Sequence, residues 1–280
     1  MKCAWKELLA ILPQDLRTAV NGHQNTLQEL RLRLNRPVEL VLQSTSKWLP
    51  YSVTPQDLSF VVHMASKYSP WAAASTARGF ITAAGGHRIG ICGDVVMKED
   101  KPSGIRTVTS LCIRVARDFD GIAAKCAGLK GNILIIGAPG CGKTTLLRDL
   151  IRQISNSGSC VTVVDERGEL FPIGFEQGRR TDVLTGCSKA QGLEMALRTM
   201  GPSCIAVDEI TAEADCSALL ECACCGVRLL ATAHAGDMKD LQARPVYKTL
   251  CRSGIFENVL VLRRDKTWYT ERMMGCLSDT

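Results

Sequence analysis

The sequence predicts an α/β protein in two parts: a small α+β domain over residues 1–125, and a P-loop nucleotide-binding domain with a parallel core sheet over residues 126–280. Three observations carry this. Gly137-Ala138-Pro139-Gly140-Cys141-Gly142-Lys143-Thr144-Thr145 fits G-x-x-x-x-G-K-[ST] and lies between a strand-like apolar run and a helix-like one. Downstream of it, strand-like and helix-like stretches alternate, the pattern of a parallel sheet with crossover helices. Upstream of it, short alternating stretches are joined by turns, the pattern of an antiparallel sheet.

In chain order, residues 1–22 read as one or two short helices interrupted at Pro13. Thr26 to Leu42 reads as a hairpin: Leu27 to Leu34 alternates, Asn35-Arg36-Pro37 turns, and Val38 to Leu42 returns. That alternation puts Arg31 and Arg33 on one face, read as a solvated outer surface, with a partner or nucleotide contact as the sharper alternative. Thr54 and Pro55 open a helix that runs to about Lys67, since Thr caps well and Pro suits the first turn. Phe80 to Thr82, His87 to Gly93 and Val108 to Val115 read as further strands. Asp118-Phe119-Asp120-Gly121 breaks the pattern, which puts the boundary near residue 125.

The second part begins with the strand Asn132 to Ile136. In the loop that follows, glycines let backbone N–H groups and the next helix N-terminus converge on one anion. Lys143 is expected to reach the β- and γ-phosphates of ATP, and the Thr144 hydroxyl to ligate Mg²⁺. Later strands are expected at Cys160 to Val164, Ser203 to Val207, Val227 to Thr232, and Asn258 to Leu262, the last pairing with Thr267 to Glu271. In such sheets, ligand-contacting groups sit just past strand C-termini. Three of these strands end in Asp165-Glu166-Arg167, Asp208-Glu209 and Ala233-His234. A strand-terminal Asp-Glu behind a phosphate loop supplies an Asp for the Mg²⁺ shell and a Glu to orient or deprotonate water; His234 stands where a γ-phosphate can be sensed.

Composition sets outer limits. Charged residues are 22% and hydrophobic ones 46%, a soluble globular balance, and no apolar run approaches the roughly 20 residues of a membrane span. Glu7 and the lack of a long apolar stretch make the N-terminus a poor signal peptide, so the expected location is cytoplasmic. Fourteen cysteines in such a compartment read as free thiols. Cys216, Cys222, Cys224 and Cys225 lack paired knuckles and a nearby His, and read as small core residues rather than a zinc site. Cys141 reads as a variable loop position. The net charge of +6 is spread along the chain and aromatics are 5%, so a base-stacking nucleic-acid surface is permitted but not favoured.

Taken together, the phosphate loop, Val163-Val164-Asp165-Glu166-Arg167, the run Leu197 to Ile210 and Ala231-Thr232-Ala233-His234-Ala235 resemble the type II/type IV secretion ATPase superfamily. With Glu29-Leu30-Arg31-Leu32-Arg33 and Gly85 to Gly93 included, the chain resembles the stage III sporulation AA family more closely. The resemblance implies a RecA-like motor domain and a homo-hexameric ring that hydrolyses ATP with Mg²⁺. It also implies a place at the cytoplasmic face of a membrane, docked on integral membrane proteins of a sporulation channel between mother cell and forespore. By the same resemblance Asp165 matches the Asp-box aspartate and joins Thr144 and Asp208 at the metal, Glu209 matches the second acidic motif, and His234 the His box. Arg179 or Arg180 falls where an arginine reaches a neighbour's nucleotide, on what reads as the catalytic edge of the sheet, and Arg198 fits an Ala-Leu-Arg segment. Three positions depart from the pattern: Val164 stands where Glu is common, Asp208 where Gly is common, and Thr211 where Arg is expected. The water-activating group is therefore open between Glu209, the first choice, and Glu166. An ATP-dependent single-stranded nucleic-acid binder, a small-molecule kinase and a non-hydrolysing ATP-binding scaffold remain as other readings.

Overall fold

The computed structural model describes residues 2–42, 45–66, 79–172 and 174–273. The chain forms two compact units, Met1–Asp118 with Pro172–Phe175, and Phe119–Phe171 with Glu176–Thr280. Residues 119–125, which the sequence pattern leaves on the N-terminal side, belong to the second unit. There the fully buried Asp149 accepts hydrogen bonds from the backbone N–H groups of Gly121 and Ala123 at 3.2 and 2.7 Å.

The first unit opens with β1 (Lys2–Cys3), α1 (Trp5–Ala10) and α2 (Gln14–Val20), with Pro13 at the N-cap of α2. β2 (Leu27–Arg33) and β3 (Pro37–Leu42) make the expected hairpin. Leu27, Leu30 and Leu32 all face inward because the register shifts between Leu27 and Glu29; this bulge offsets the odd spacing of the first two. On the other face Arg31 pairs with Glu29 at 2.8 Å and Arg33 with Glu39 at 2.7 Å, so both arginines are engaged within the sheet. β4 (Ser46–Ser52) follows, then α3 (Pro55–Ser66). Thr54 and Asp57 cap α3 reciprocally: the Thr54 hydroxyl accepts from the Asp57 N–H, and the Asp57 carboxylate accepts from the Thr54 N–H. The expected helix end at Lys67 lies outside the described residues.

β5 (Phe80–Thr82), β6 (Arg88–Lys98), β7 (Lys101–Arg114) and β8 (Arg117–Asp118) complete this unit. Six strands pair antiparallel in the order β4-β3-β2-β7-β6-β5, and β1 pairs with β8. Leu12 and Leu16 pack with Leu30, Leu40, Ile89 and Ile113 of the sheet in one core.

The second unit runs β9 (Ile133–Gly137), α4 (Lys143–Asn156), β10 (Val161–Asp165), β11 (Thr181–Thr185), α5 (Lys189–Thr199), β12 (Cys204–Ile210) and α6 (Glu213–Cys224). It continues with β13 (Arg228–Ala233), α7 (Met238–Ala243), α8 (Lys248–Ser253), β14 (Asn258–Leu262) and β15 (Trp268–Glu271). The sheet order is β11-β10-β12-β13-β9-β14-β15, parallel throughout except for the antiparallel edge strand β15. The inner strands β9, β10, β12, β13 and β14 are covered on both faces, which is why they read as apolar runs. Ile133 and Ile135 pack against Leu147, Leu150 and Ile151 of α4, while Leu134 and Ile136 share the opposite core with Leu219 of α6.

Cys216 and Cys222 lie in that second core, and burial pushes their thiols up to about 12 and about 11. Cys224 and Cys225 do not fit the core reading: they are exposed, because the buried stripe of α6 runs through Cys216, Leu219 and Cys222 and turns away from them. No cysteine among the described residues is in a disulfide, and no helix among them is long and apolar enough to cross a membrane.

Candidate nucleotide-binding site

The parallel strands β9, β10, β12 and β13 end on one edge of the sheet, and the acids and histidine singled out by sequence gather there. Gly137 to Thr145 carry the chain from the end of β9 into the first turn of α4. Gly137 and Gly142 show why the loop is rich in glycine. A side chain at Gly137 would stand 2.8 Å from the Leu262 carbonyl oxygen of the neighbouring strand. Gly142, at φ +102°, caps α4 in the left-handed region, which aims the helix N-terminus into the loop. Cys141 is buried beneath the loop rather than displayed on it.

Lys143 is 7% exposed, and its ammonium donates to the carbonyls of Gly137 and Ala138 at 2.9 and 3.3 Å and to His234 Nδ1 at 3.0 Å. Burial pushes this amine below the ordinary lysine range, and the nearby Glu209, Cys141 and Asp208 pull it back. A lysine ammonium has only donors, so Nδ1 of His234 is an acceptor and Nε2 carries the proton. Nε2 faces Glu209 Oε1 at 2.9 Å. Lys143, His234 and Glu209 thus form one continuous chain of polar contacts.

Asp208 is held by hydroxyls: Thr144 Oγ1 donates to Oδ2 at 3.0 Å, and Thr232 Oγ1 to Oδ1 at 2.7 Å. The same Thr232 oxygen accepts from the Glu209 N–H at 2.7 Å. Glu209 sits at φ +46°, in a left-handed conformation unusual for Glu, where β12 shifts register between Val207 and Ile210. The Tyr247 hydroxyl completes the frame, donating to the Ile210 carbonyl at 3.1 Å and accepting from the His234 N–H at 3.3 Å, which ties the ends of β12 and β13 together.

Beside these groups lies a small open cleft lined by Asp165, Glu166, Lys189, Asp208, Glu209 and Thr211, among others. Asp165 is turned into its own loop: its carboxylate accepts from the N–H groups of Glu169, Leu170 and Phe171 at 2.9, 2.8 and 3.4 Å. Burial raises its pKa, Asp208 adds to the rise, and the three N–H groups oppose it. Glu166 pairs with the buried Lys189 at 2.6 Å. The two candidate glutamates therefore differ in kind. Glu209 rests on a histidine, whereas Glu166 is neutralised by a lysine.

The arginines stand elsewhere. Arg179 and Arg180 precede β11 at the N-terminal end of the strands, about 17 Å of strand away from the phosphate-loop edge. The sequence reading puts them on the same edge as the phosphate loop; the structure puts them at the opposite end of the strands. Their backbone N–H groups bond Asn156 Oδ1 and Ser155 Oγ near the C-terminus of α4, and the Arg180 guanidinium donates to the Gly158 carbonyl at 2.5 Å. The physical reason is the strand β11, which moves this segment to the other end of the sheet. Arg198 pairs with Glu194 on the exposed side of α5. Sequence reading missed Thr232, Tyr247 and Lys189; of these only Thr232, a hydroxyl in an otherwise apolar strand end, carried a signal.

Residues 4–275 match the model of the family described as Sporulation stage III, protein AA. The chain is 36% identical to "Stage III sporulation protein AA" of Bacillus subtilis (strain 168) over 280 residues, covering 93% of this chain and 91% of that protein. Its fold is similar to that of the Legionella pneumophila ATPase DotB (TM-score 0.56, 18% identity, 92% of this chain and 79% of that one). It is also similar to the pilus retraction motor PilT solved with bound ADP (TM-score 0.60, 16% identity, 85% and 74%). The second unit is thus a RecA-like fold.

Proposed function

The chain belongs to the Sporulation stage III, protein AA family, and from that membership we propose that it binds and hydrolyses ATP with Mg²⁺. The observation that carries this reading is the chain from Lys143 through His234 to Glu209, set between a phosphate loop and a strand-end Asp held by the loop's own Thr144. Thr144 Oγ1 and Asp208 Oδ2 are hard oxygen donors 3.0 Å apart, the few-ligand arrangement that suits Mg²⁺ with its waters and phosphate oxygens. Mg²⁺ would supply charge neutralisation at those oxygens. Asp165 stands behind this pair as the organiser of residues 166–171.

Lys143 serves the phosphate chain as a point charge; its present carbonyl and imidazole acceptors are ones a phosphate oxygen can replace. Glu209 accepts the proton of the attacking water, the water oxygen bonds the γ-phosphorus, and the bond to the bridging oxygen breaks to leave ADP and phosphate. His234 aims the Glu209 carboxylate and couples it to Lys143, so the base and the phosphate-binding charge move together. Glu166 is the weaker candidate because Lys189 already holds its charge.

In the cell, the proposed role is to energise or assemble a membrane channel complex during sporulation. The chain would act as a ring of six copies at the cytoplasmic face, docked on integral membrane proteins. Support for this comes from the family description and from the motor and ATPase activities named for the proteins that share the fold. The test is ATP turnover and ADP binding by purified protein, wild type against Lys143→Ala. Loss of both in a folded variant is expected; unchanged turnover in that variant overturns the assignment.

A further inference from the structure

The hairpin joining β14 to β15 lies beside the phosphate loop, because β14 pairs with β9 up to Leu262 opposite Gly137. Its turn is closed by two backbone bonds, from Lys266 N–H to the Arg263 carbonyl at 3.1 Å and from Arg263 N–H to the Thr267 carbonyl at 2.9 Å. Asp265 accepts from the Thr267 N–H and hydroxyl at 2.9 and 2.6 Å. This is a three-residue connection with its bulge residue in the left-handed region, a position that strongly favours glycine. Lys266 occupies it at φ +69°. The side chain extends to the phosphate loop, and its ammonium donates to the Gly140 carbonyl at 2.5 Å.

A lysine here breaks two local preferences: its backbone takes a conformation that Gly adopts without strain, and a long exposed side chain is held in one place. The carbonyl it meets is at the surface, where water could serve it equally well. Strain kept at such a position points to a function. We infer that Lys266 is a second phosphate-binding cation of the site: the hairpin holds its charge against the middle of the loop for the polyphosphate chain of a nucleoside di- or triphosphate. The inference rests on the nucleotide-binding reading above and adds a residue from the far end of the chain. Arg263 does not compete for the role, since its guanidinium lies over the Tyr269 ring at 4.9 Å.

The two demands on Lys266 have opposite signs in one substitution. Lys266→Gly relaxes the backbone and deletes the charge, whereas Lys266→Met keeps the backbone demand and deletes the charge alone. Titration with fluorescent ADP and ATP analogues should show both variants weakened about tenfold, the worth of one charge-assisted hydrogen bond. Lys266→Arg should bind within about threefold of wild type, and Lys266→Gly should melt no lower than wild type. Binding of both charge-deleting variants within about twofold of wild type overturns the inference and leaves the nucleotide site intact. A fall in melting temperature of Lys266→Gly alongside the weaker binding also overturns it, because the lysine is then a structural clasp of the loop. If wild-type protein binds neither analogue, the nucleotide reading itself fails and takes this inference with it.

Discussion

Replacing Thr232 by Val removes one oxygen and hardly changes shape, yet it disconnects both acids of the site. Thr232 is fully buried, donates to Asp208 at 2.7 Å and accepts from the Glu209 N–H at 2.7 Å. Asp208 keeps Thr144 as a partner and is partly exposed, so its loss is partial. The half-buried Glu209 N–H loses the Thr232 oxygen at 2.7 Å, and a donor left unpaired where water does not replace its partner costs about 1–3 kcal/mol. Adding the weakened bond to Asp208 and subtracting about 0.8 kcal/mol for the extra apolar group gives a net loss of about 2 kcal/mol. In a domain of this size that lowers the melting temperature by about 4–8 °C. Circular dichroism melts of Thr232→Val and Thr232→Ser measure it, since Ser keeps both bonds and gives up only the methyl group. Turnover should fall in the Val variant as well, because this bond helps hold Glu209 at φ +46°. If Thr232→Val melts with wild type while Thr232→Ser melts lower, the methyl group rather than the hydroxyl matters and the reasoning fails.

Glu209→Gln should leave nucleotide binding intact and slow hydrolysis about 10²–10⁴-fold, the usual loss of a general base. Glu166→Gln should cost much less in single-turnover rate, and the reverse order would exchange the roles of the two glutamates. In the first unit, His87 is fully buried between the Ala4 carbonyl (2.8 Å) and the Ala116 N–H (3.2 Å), and burial holds its pKa below the ordinary 6.5. The unfolded chain therefore takes up the proton first, so stability is full above about pH 6.5 and is lost on acidification below it; melting curves of wild type and His87→Gln that fall in parallel from pH 7.5 to about 5.5 would rule His87 out.

Legibility in the sequence followed burial. β9, β10, β12, β13 and β14 are covered on both faces, so each left an apolar run that needed no partner to be recognised. β4 has only Leu49 buried, the outer half of β6 buries nothing from Cys92 onward, and the edge strand β11 has no buried residue. None of the three carries an alternation, and each is held by backbone pairing that leaves no pattern. The missed β11 matters for function: the sequence reading puts Arg179 and Arg180 on the catalytic edge of the sheet, whereas the strand sets them at its opposite end.

The acids were legible by position, but their roles were not. Asp165, Glu166, Asp208 and Glu209 all follow apolar strands, and spacing alone treats them alike. What separates them is the partner each meets across the fold: three N–H groups for Asp165, Lys189 for Glu166, two hydroxyls for Asp208, and His234 for Glu209. Backbone conformation then singles out two residues. Among the described residues, the non-glycine positions in the left-handed region are Asn35, Glu99, Asp100, Glu209 and Lys266. The first three make hairpin turns of the first unit, where nothing but the turn is at stake. Glu209 and Lys266 instead hold side chains toward the phosphate loop, one through His234 and one directly. Local preference is overridden in the second unit only at these two described positions, and both overrides end at the same loop. That convergence fits the proposed role of this loop in binding a phosphate chain, and the variants of Glu209 and Lys266 test the two overrides separately.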